Sequence, residues 1–346
     1  MRMTSMPFGA AIAVLGSFSV LAACSDDGTT TTTQGSGGSS GATNGSGGDA
    51  SSTSTDATSS SSTSAGGSGG GIAGSPKTVF TIMMENHDYA EVVGSPDAPY
   101  MNSLIDAYGL ATNYYDSGTH PSLPNYLYMA SGDTQYPGVI DVDPTQFPYF
   151  PSDADNLGNQ LEQAGIEWRS YQESMGTPCK LTSSGDYAPK HDPFLYFSNI
   201  QDDAALCAKR NVDYSEFAAD LAGGQYRYMF ITPNLINDGH NPSDDPVQGL
   251  KQSDDWLSVE LPKILASAVY QEGGIVFITW DEAEGRNGDD PDKIPMIVVS
   301  PFIKSPGYKS AVYYTHASYL ATMEDFFGLP RLGAAVGKPN LNEFWE

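Results

Sequence analysis

The sequence predicts an α/β fold, a mostly parallel central sheet layered between helices as a three-layer α/β/α sandwich, on three observations. Val79-Phe80-Thr81-Ile82-Met83-Met84 and Ile275-Val276-Phe277-Ile278-Thr279-Trp280 are short continuous apolar runs, as expected of strands buried on both faces. Stretches of helical spacing lie between such runs. Both runs end in polar groups, Glu85-Asn86-His87 and Asp281-Glu282, and in such folds ligands gather at the carboxyl ends of the strands.

Along the chain, Arg2 and the apolar stretch from Pro7 to Ala23 read as a signal segment over residues 1–23, too short for a confident membrane span. Leu21-Ala22-Ala23-Cys24 resembles a bacterial lipobox, which implies lipidation of Cys24. The expectation is an exported protein, lipid-anchored at a cell surface or at the periplasmic face of a membrane. Residues 24–77, rich in Ser, Thr, Gly and Ala, bury too little to repay ordering and are expected to form a flexible tether. The domain proper is expected over residues 78–346.

After the Val79–Met84 strand, helical patterns cover 100–108, 122–130 and 155–164, the last stopped by Gly165. A strand over 226–232 ends at Pro233. A helix over 254–268 contains Pro262, which either kinks it or starts a new one. A third strand spans 294–299 after the Ile275–Trp280 run, and a helix closes the chain at 316–327.

The net charge of -26 lies almost wholly on the domain, because only Arg2, four aspartates and Lys77 precede residue 78. Such a field disfavours nucleic acid and anionic headgroups, and it repels phosphate unless the site carries its own positive charge. A bound cation answers that need. Of three cysteines, a lipidated Cys24 leaves Cys179 and Cys207 for a disulfide in an exported domain.

All five histidines (His87, His120, His191, His240 and His316) sit in polar or Pro/Gly-containing contexts. Glu85, Asp281 and Glu282 follow buried strands, where a carboxylate is costly unless paired, solvated or bound to metal. A metal site explains two acidic strand ends together, and solvent-facing carboxylates are the plain alternative. Oxygen-rich ligands suit Mg²⁺, Mn²⁺ or Ca²⁺, and Zn²⁺ if histidines join. Asp238 with His240 is expected at the same edge. Ser122, after Pro121 at a helix start, is suited either to capping that helix or to chemistry.

Met84-Glu85-Asn86-His87, His120-Pro121-Ser122-Leu123-Pro124-Asn125-Tyr126 and Thr279-Trp280-Asp281-Glu282 resemble signatures of the bacterial phosphoesterase family. That family holds acid phosphatases and phospholipases C within the alkaline phosphatase-like superfamily. Similar segments follow at Trp168–Met175, Lys190–Phe194, Thr232–Asn234, Asp238–His240 and His316–Leu320. The resemblance implies Glu85 and Asn86 as the first metal-binding pair, and Asp281 with Glu282 as the second. Some family members have two aspartates at the second pair, so Asp281 is the safer ligand. It implies Ser122 as nucleophile and His120, His240 and His316 as catalytic groups around the phosphate. His191, Asp238 and Asn125 are possible additional members of the site.

The expected function is that of a metal-dependent phosphoric ester hydrolase, an acid phosphatase-like phosphomonoesterase working through a phosphoserine. The alternatives are a phospholipase C-like phosphodiesterase and an inactive surface binding protein. Its partners would be a small-molecule or lipid phosphoester and, through the lipid anchor, a membrane.

Overall fold

A computed structural model describes residues 77–136, 140–146, 151–240, 246–285 and 290–345. The expected signal segment, Cys24 and nearly all of the tether lie outside the described residues.

Among the described residues nine strands form one sheet: β1 (Thr78–Met84), β2 (Gly109–Tyr115), β3 (Trp168–Gln172), β4 (Asn211–Asp213), β5 (Tyr228–Thr232), β6 (Gly274–Trp280), β7 (Lys293–Val299), β8 (Tyr308–Ser310) and β9 (Tyr314–Thr315). Their order is β4-β3-β5-β1-β6-β7-β2-β8, with β9 also paired to β2. Pairing is parallel except around β7, which runs antiparallel to both β6 and β2. Every residue of β1 and β6 is buried, as their unbroken apolar runs require.

Two groups of helices cover the sheet. Leu123–Ser131, Leu157–Gln163 and His316–Phe327 pack on one another, and Pro99–Ala107 packs on Pro246–Leu265. The Leu157–Gln163 helix begins where Asn156 accepts a hydrogen bond from the Asn159 amide at 3.0 Å, a side-chain cap that satisfies one orphan donor. Pro262 starts no new helix: it lies inside Pro246–Leu265, in its last turn. Strands β2, β3, β4, β8 and β9 were not expected from the sequence. Cys179 and Cys207 form a disulfide with a Cα–Cα distance of 5.4 Å. Closing 28 residues of chain is worth about 3–4 kcal/mol in chain-entropy terms.

Candidate active site

The parallel register of β1 and β6 pairs Met84 with Trp280, so the polar residues after each strand emerge side by side. The Asp281 amide donates to the Met84 carbonyl at 3.0 Å, and the Asn86 amide donates to Asp281 Oδ1 at 3.1 Å. Beyond β5, the chain returns so that Glu85 N donates to the Asp238 carbonyl at 2.8 Å. Gly239 permits this approach: its φ is +98°, and a Cβ there would stand 3.2 Å from the Glu85 carbonyl oxygen. Asn86 has φ 55°, a left-handed conformation that asparagine tolerates better than most side chains.

Ser122 stands at the start of the Leu123–Ser131 helix in right-handed helical conformation, and its hydroxyl does not cap the helix. It donates instead to Glu85 Oε2 at 3.2 Å. Asn125 fixes the preceding loop: Oδ1 accepts from Ser117 N at 2.9 Å, and Nδ2 donates to the Thr119 carbonyl at 2.9 Å. The same Nδ2 reaches Glu282 Oε2 at 3.0 Å. Tyr126, one helical turn after Ser122, donates its hydroxyl to Glu85 Oε1 and stacks on the His191 ring, with centroids 5.3 Å apart.

Around Glu85, His191 Nε2 lies 3.4 Å from Oε1 and His240 Nδ1 lies 3.4 Å from Oε2. Asp238 Oδ1 accepts from the His240 amide at 2.8 Å, and Asn86 Nδ2 stands 2.8 Å from His240 Nδ1. Lys190 is held close by Asp141, whose second carboxylate oxygen accepts from the Leu123 amide at 3.2 Å. The sequence alone assigns Tyr126, Asp141 and Lys190 no role in the site. Tyr126 was open to detection at four residues beyond Ser122, which places it on the same helix face.

Burial opposes charge on Glu85, yet His191, His240 and Lys190 hold its carboxyl down to about 2. Burial pushes the His191 imidazole down to about 4. The hydrogen bond to Glu85 raises His240. At neutral pH His191 is therefore uncharged, and Lys190 supplies fixed positive charge facing Glu85. The remaining acids go the other way: burial first, and then repulsion from Glu85, push Asp281 and Asp238 well above the carboxylate range. Glu282 rises to about 9 for the same reasons. Carboxylates outnumber cations here.

The donor set fits a divalent metal. Glu85, Asp281, the Asn86 amide and the Ser122 hydroxyl offer oxygen ligands. Asp281 Oδ2, buried beside Ser122, has no hydrogen bond of good geometry. The structure thus gathers Glu85, Asn86, Ser122, Asp281, Asp238, His191 and His240.

Three expected members lie differently. Glu282 turns away from Glu85 to Asn125 and to His120, whose Nδ1 is 3.3 Å from its Oε2. The other side of the His120 ring faces Asp116 and Asp292. His316 is fully buried: one ring nitrogen is 2.7 Å from the Asp281 carbonyl and the other 3.0 Å from the Tyr114 hydroxyl. Neither nitrogen is left to meet a phosphate, so His316 props the Asp281 backbone from behind.

Residues 95–330 match the family described as "Phosphoesterase family". A Kluyveromyces lactis protein named "Probable acid phosphatase" is 30% identical over 279 residues, covering 77% of this chain and 62% of that one. The "Phosphatidylinositol-3-phosphatase" of Mycobacterium tuberculosis is 28% identical over 281 residues, covering 80% and 86%. The "Phosphate-repressible acid phosphatase" of Penicillium chrysogenum is 29% identical over 261 residues, covering 73% and 59%. The chain spans about three fifths of the length of the two fungal relatives. Among solved structures, a Vibrio parahaemolyticus protein of the alkaline phosphatase superfamily superposes with TM-score 0.53 at 14% identity, over 79% of this chain and 72% of that one. The lipoteichoic acid synthase LtaP of Listeria monocytogenes gives 0.54 at 11% identity, over 75% and 73%. These two likenesses establish the fold alone.

Proposed function

The chain belongs to the phosphoesterase family, and we propose that it is a metal-dependent phosphomonoesterase that works through a phosphoserine at Ser122. The observation that carries this reading is the direction of the Ser122 hydroxyl, toward Glu85 rather than onto the helix it precedes. A serine used only as a cap would do the reverse.

Ser122 Oγ, its proton passed to solvent, would attack phosphorus in line, forming the O–P bond as the bond to the departing alcohol breaks. Glu85, held near 2, is too weak a base to keep the serine proton, and its part is to orient Oγ. His240, half-exposed at the rim and drawn toward its charged form by Glu85, is placed to donate to a phosphoryl oxygen or to the leaving alcohol. Lys190 adds fixed positive charge, secured by Asp141 at the helix start. A divalent cation held by Glu85, Asn86, Ser122 and Asp281 would, when bound, stabilise developing phosphoryl charge and favour the ionised serine. Mg²⁺, Mn²⁺, Ca²⁺ and Zn²⁺ are all compatible with that donor set. Water would then cleave the phosphoserine and restore Ser122.

A cavity of about 470 Å³ adjoins His240 and Lys190 and is walled by Ala188, Leu235 and Ile236. It offers the leaving alcohol a place with an apolar side. Monoester chemistry is favoured by the acid phosphatase names of the relatives. The phospholipase C-like reading predicts comparable turnover of a diester, and the binding-protein reading predicts none. Ser122→Ala should reduce hydrolysis of p-nitrophenyl phosphate by at least about 10³-fold at saturating metal while circular dichroism stays unchanged. Retained turnover would remove Ser122 from its role.

Export with a lipid anchor at Cys24 is part of the same proposal. The Cys179–Cys207 disulfide suits an oxidising compartment. No helix among the described residues is long and apolar enough to cross a membrane. Incorporation of an alkynyl fatty acid should disappear in Cys24→Ser, and labelling that persists would exclude this anchor.

A further inference from the structure

Beside the Glu85 cluster, the loop before Ser122 carries a second convergence of ligand atoms. His120 Nε2 stands 3.6 Å from Asp116 Oδ2 and 3.5 Å from Asp292 Oδ1, and the three atoms all lie within 4.8 Å of one another. Donors bound at about 2.1 Å to one tetrahedral ion stand about 3.4 Å apart, close to the spacing found.

The far side of the same ring supplies a second, independent observation. His120 Nδ1 lies 3.3 Å from Glu282 Oε2, so that side of the ring faces a carboxyl group. The Nε2 side of the ring faces Asp116 and Asp292, the outer-sphere arrangement that orients metal-bound histidines. Two acidic side chains are thus set against one ring nitrogen. Asp116 cannot swing away: it is 3% exposed, Gly118 N donates to its Oδ1 at 2.7 Å, and Ala283 N donates to its Oδ2 at 3.1 Å. Among the described residues no Lys or Arg pairs with Asp116, Glu282 or Asp292.

We propose that Asp116, His120 and Asp292 bind a second divalent cation, distinct from the one at Glu85. One imidazole with two carboxylates selects a borderline ion such as Zn²⁺ or Mn²⁺ over Ca²⁺. A cavity of about 410 Å³ reaches the cluster past Pro121, Glu284 and Pro291, leaving an open face for water ligands. The ion ties the loop ahead of Ser122 to the residue before β7, two positions upstream of the serine. His120 is then a positioning residue, and Glu282 orients it.

Metal-stripped protein titrated with Co²⁺ tests this, with stoichiometry read by calorimetry and by the visible absorption of bound cobalt. Asp292→Asn is the informative variant, since the Asp292 side chain is 42% exposed. Its backbone carbonyl still accepts from Asp116 N whatever the side chain. Asp292→Asn should bind one equivalent fewer than the wild-type protein, and His120→Gln should match it. An unchanged stoichiometry in Asp292→Asn overturns the site. Glu85→Gln, run in parallel, reports on the other cation alone, so the two readings fail separately.

Discussion

Glu85 and Glu324 are both completely buried glutamates, and their surroundings drive them in opposite directions. Glu85 receives the hydroxyls of Ser122 and Tyr126 and faces His191, His240 and Lys190. Its carboxyl sits near 2. Glu324, on the His316–Phe327 helix, accepts one backbone hydrogen bond, from Leu332 N at 2.7 Å, and its other oxygen has no partner. Arg331, the nearby cation, is turned to Asp325. Burial pushes Glu324 up to about 8, with the Leu332 amide and Arg331 only partly opposing it. Burial alone therefore says little about whether a carboxylate is ready to act. The number of donors aimed at it decides whether charge or a proton satisfies it.

The sharpest way to break this comparison is Glu85→Gln. The amide keeps the shape of the side chain and removes the charge that His240 and Lys190 face. Turnover should fall by about 10³-fold or more, with thermal unfolding still cooperative. Activity within about tenfold of wild type would mean that the strand-end region tolerates a neutral group, as the Glu324 corner does.

What was legible in the sequence follows the same division between local and convergent information. The runs at 79–84, 275–280 and 294–299 announced β1, β6 and β7 because strands covered on both faces must be apolar at every position. Strand β3, Trp168-Arg169-Ser170-Tyr171-Gln172, alternates too weakly to be seen, and Thr112 and Asn113 interrupt β2. The reversed direction of β7 is set by pairing and leaves no mark on composition. Glu85, Asn86 and Asp281 could be anticipated from strand ends. The opposite headings of Asp281 and Glu282 could not, since they depend on where Asn125 and His120 wait. His316 occupies the same kind of polar context as His240, and only packing beneath the Asp281 carbonyl takes it out of the pocket. Asp292 lies 172 residues from His120 in sequence, joined to it only by the pairing of β2 with β7.

The smallest expected effect sharpens the comparison from the other side. Glu324 has a folded-state pKa near 8 against an unfolded value of about 4.3. Between those values the folded state binds the extra proton. The stability tied to Glu324 is therefore fully present below about 4.3 and is lost as pH rises through about 8. Glu324→Gln keeps an oxygen for the Leu332 amide and cannot ionise. It should match wild type at pH 5 and exceed it at pH 9 by about 3–4 kcal/mol, a rise in Tm of several degrees measured by differential scanning calorimetry. A difference that does not change with pH would mean that Glu324 carries its charge in the folded state, and donor number would then not be what separates it from Glu85.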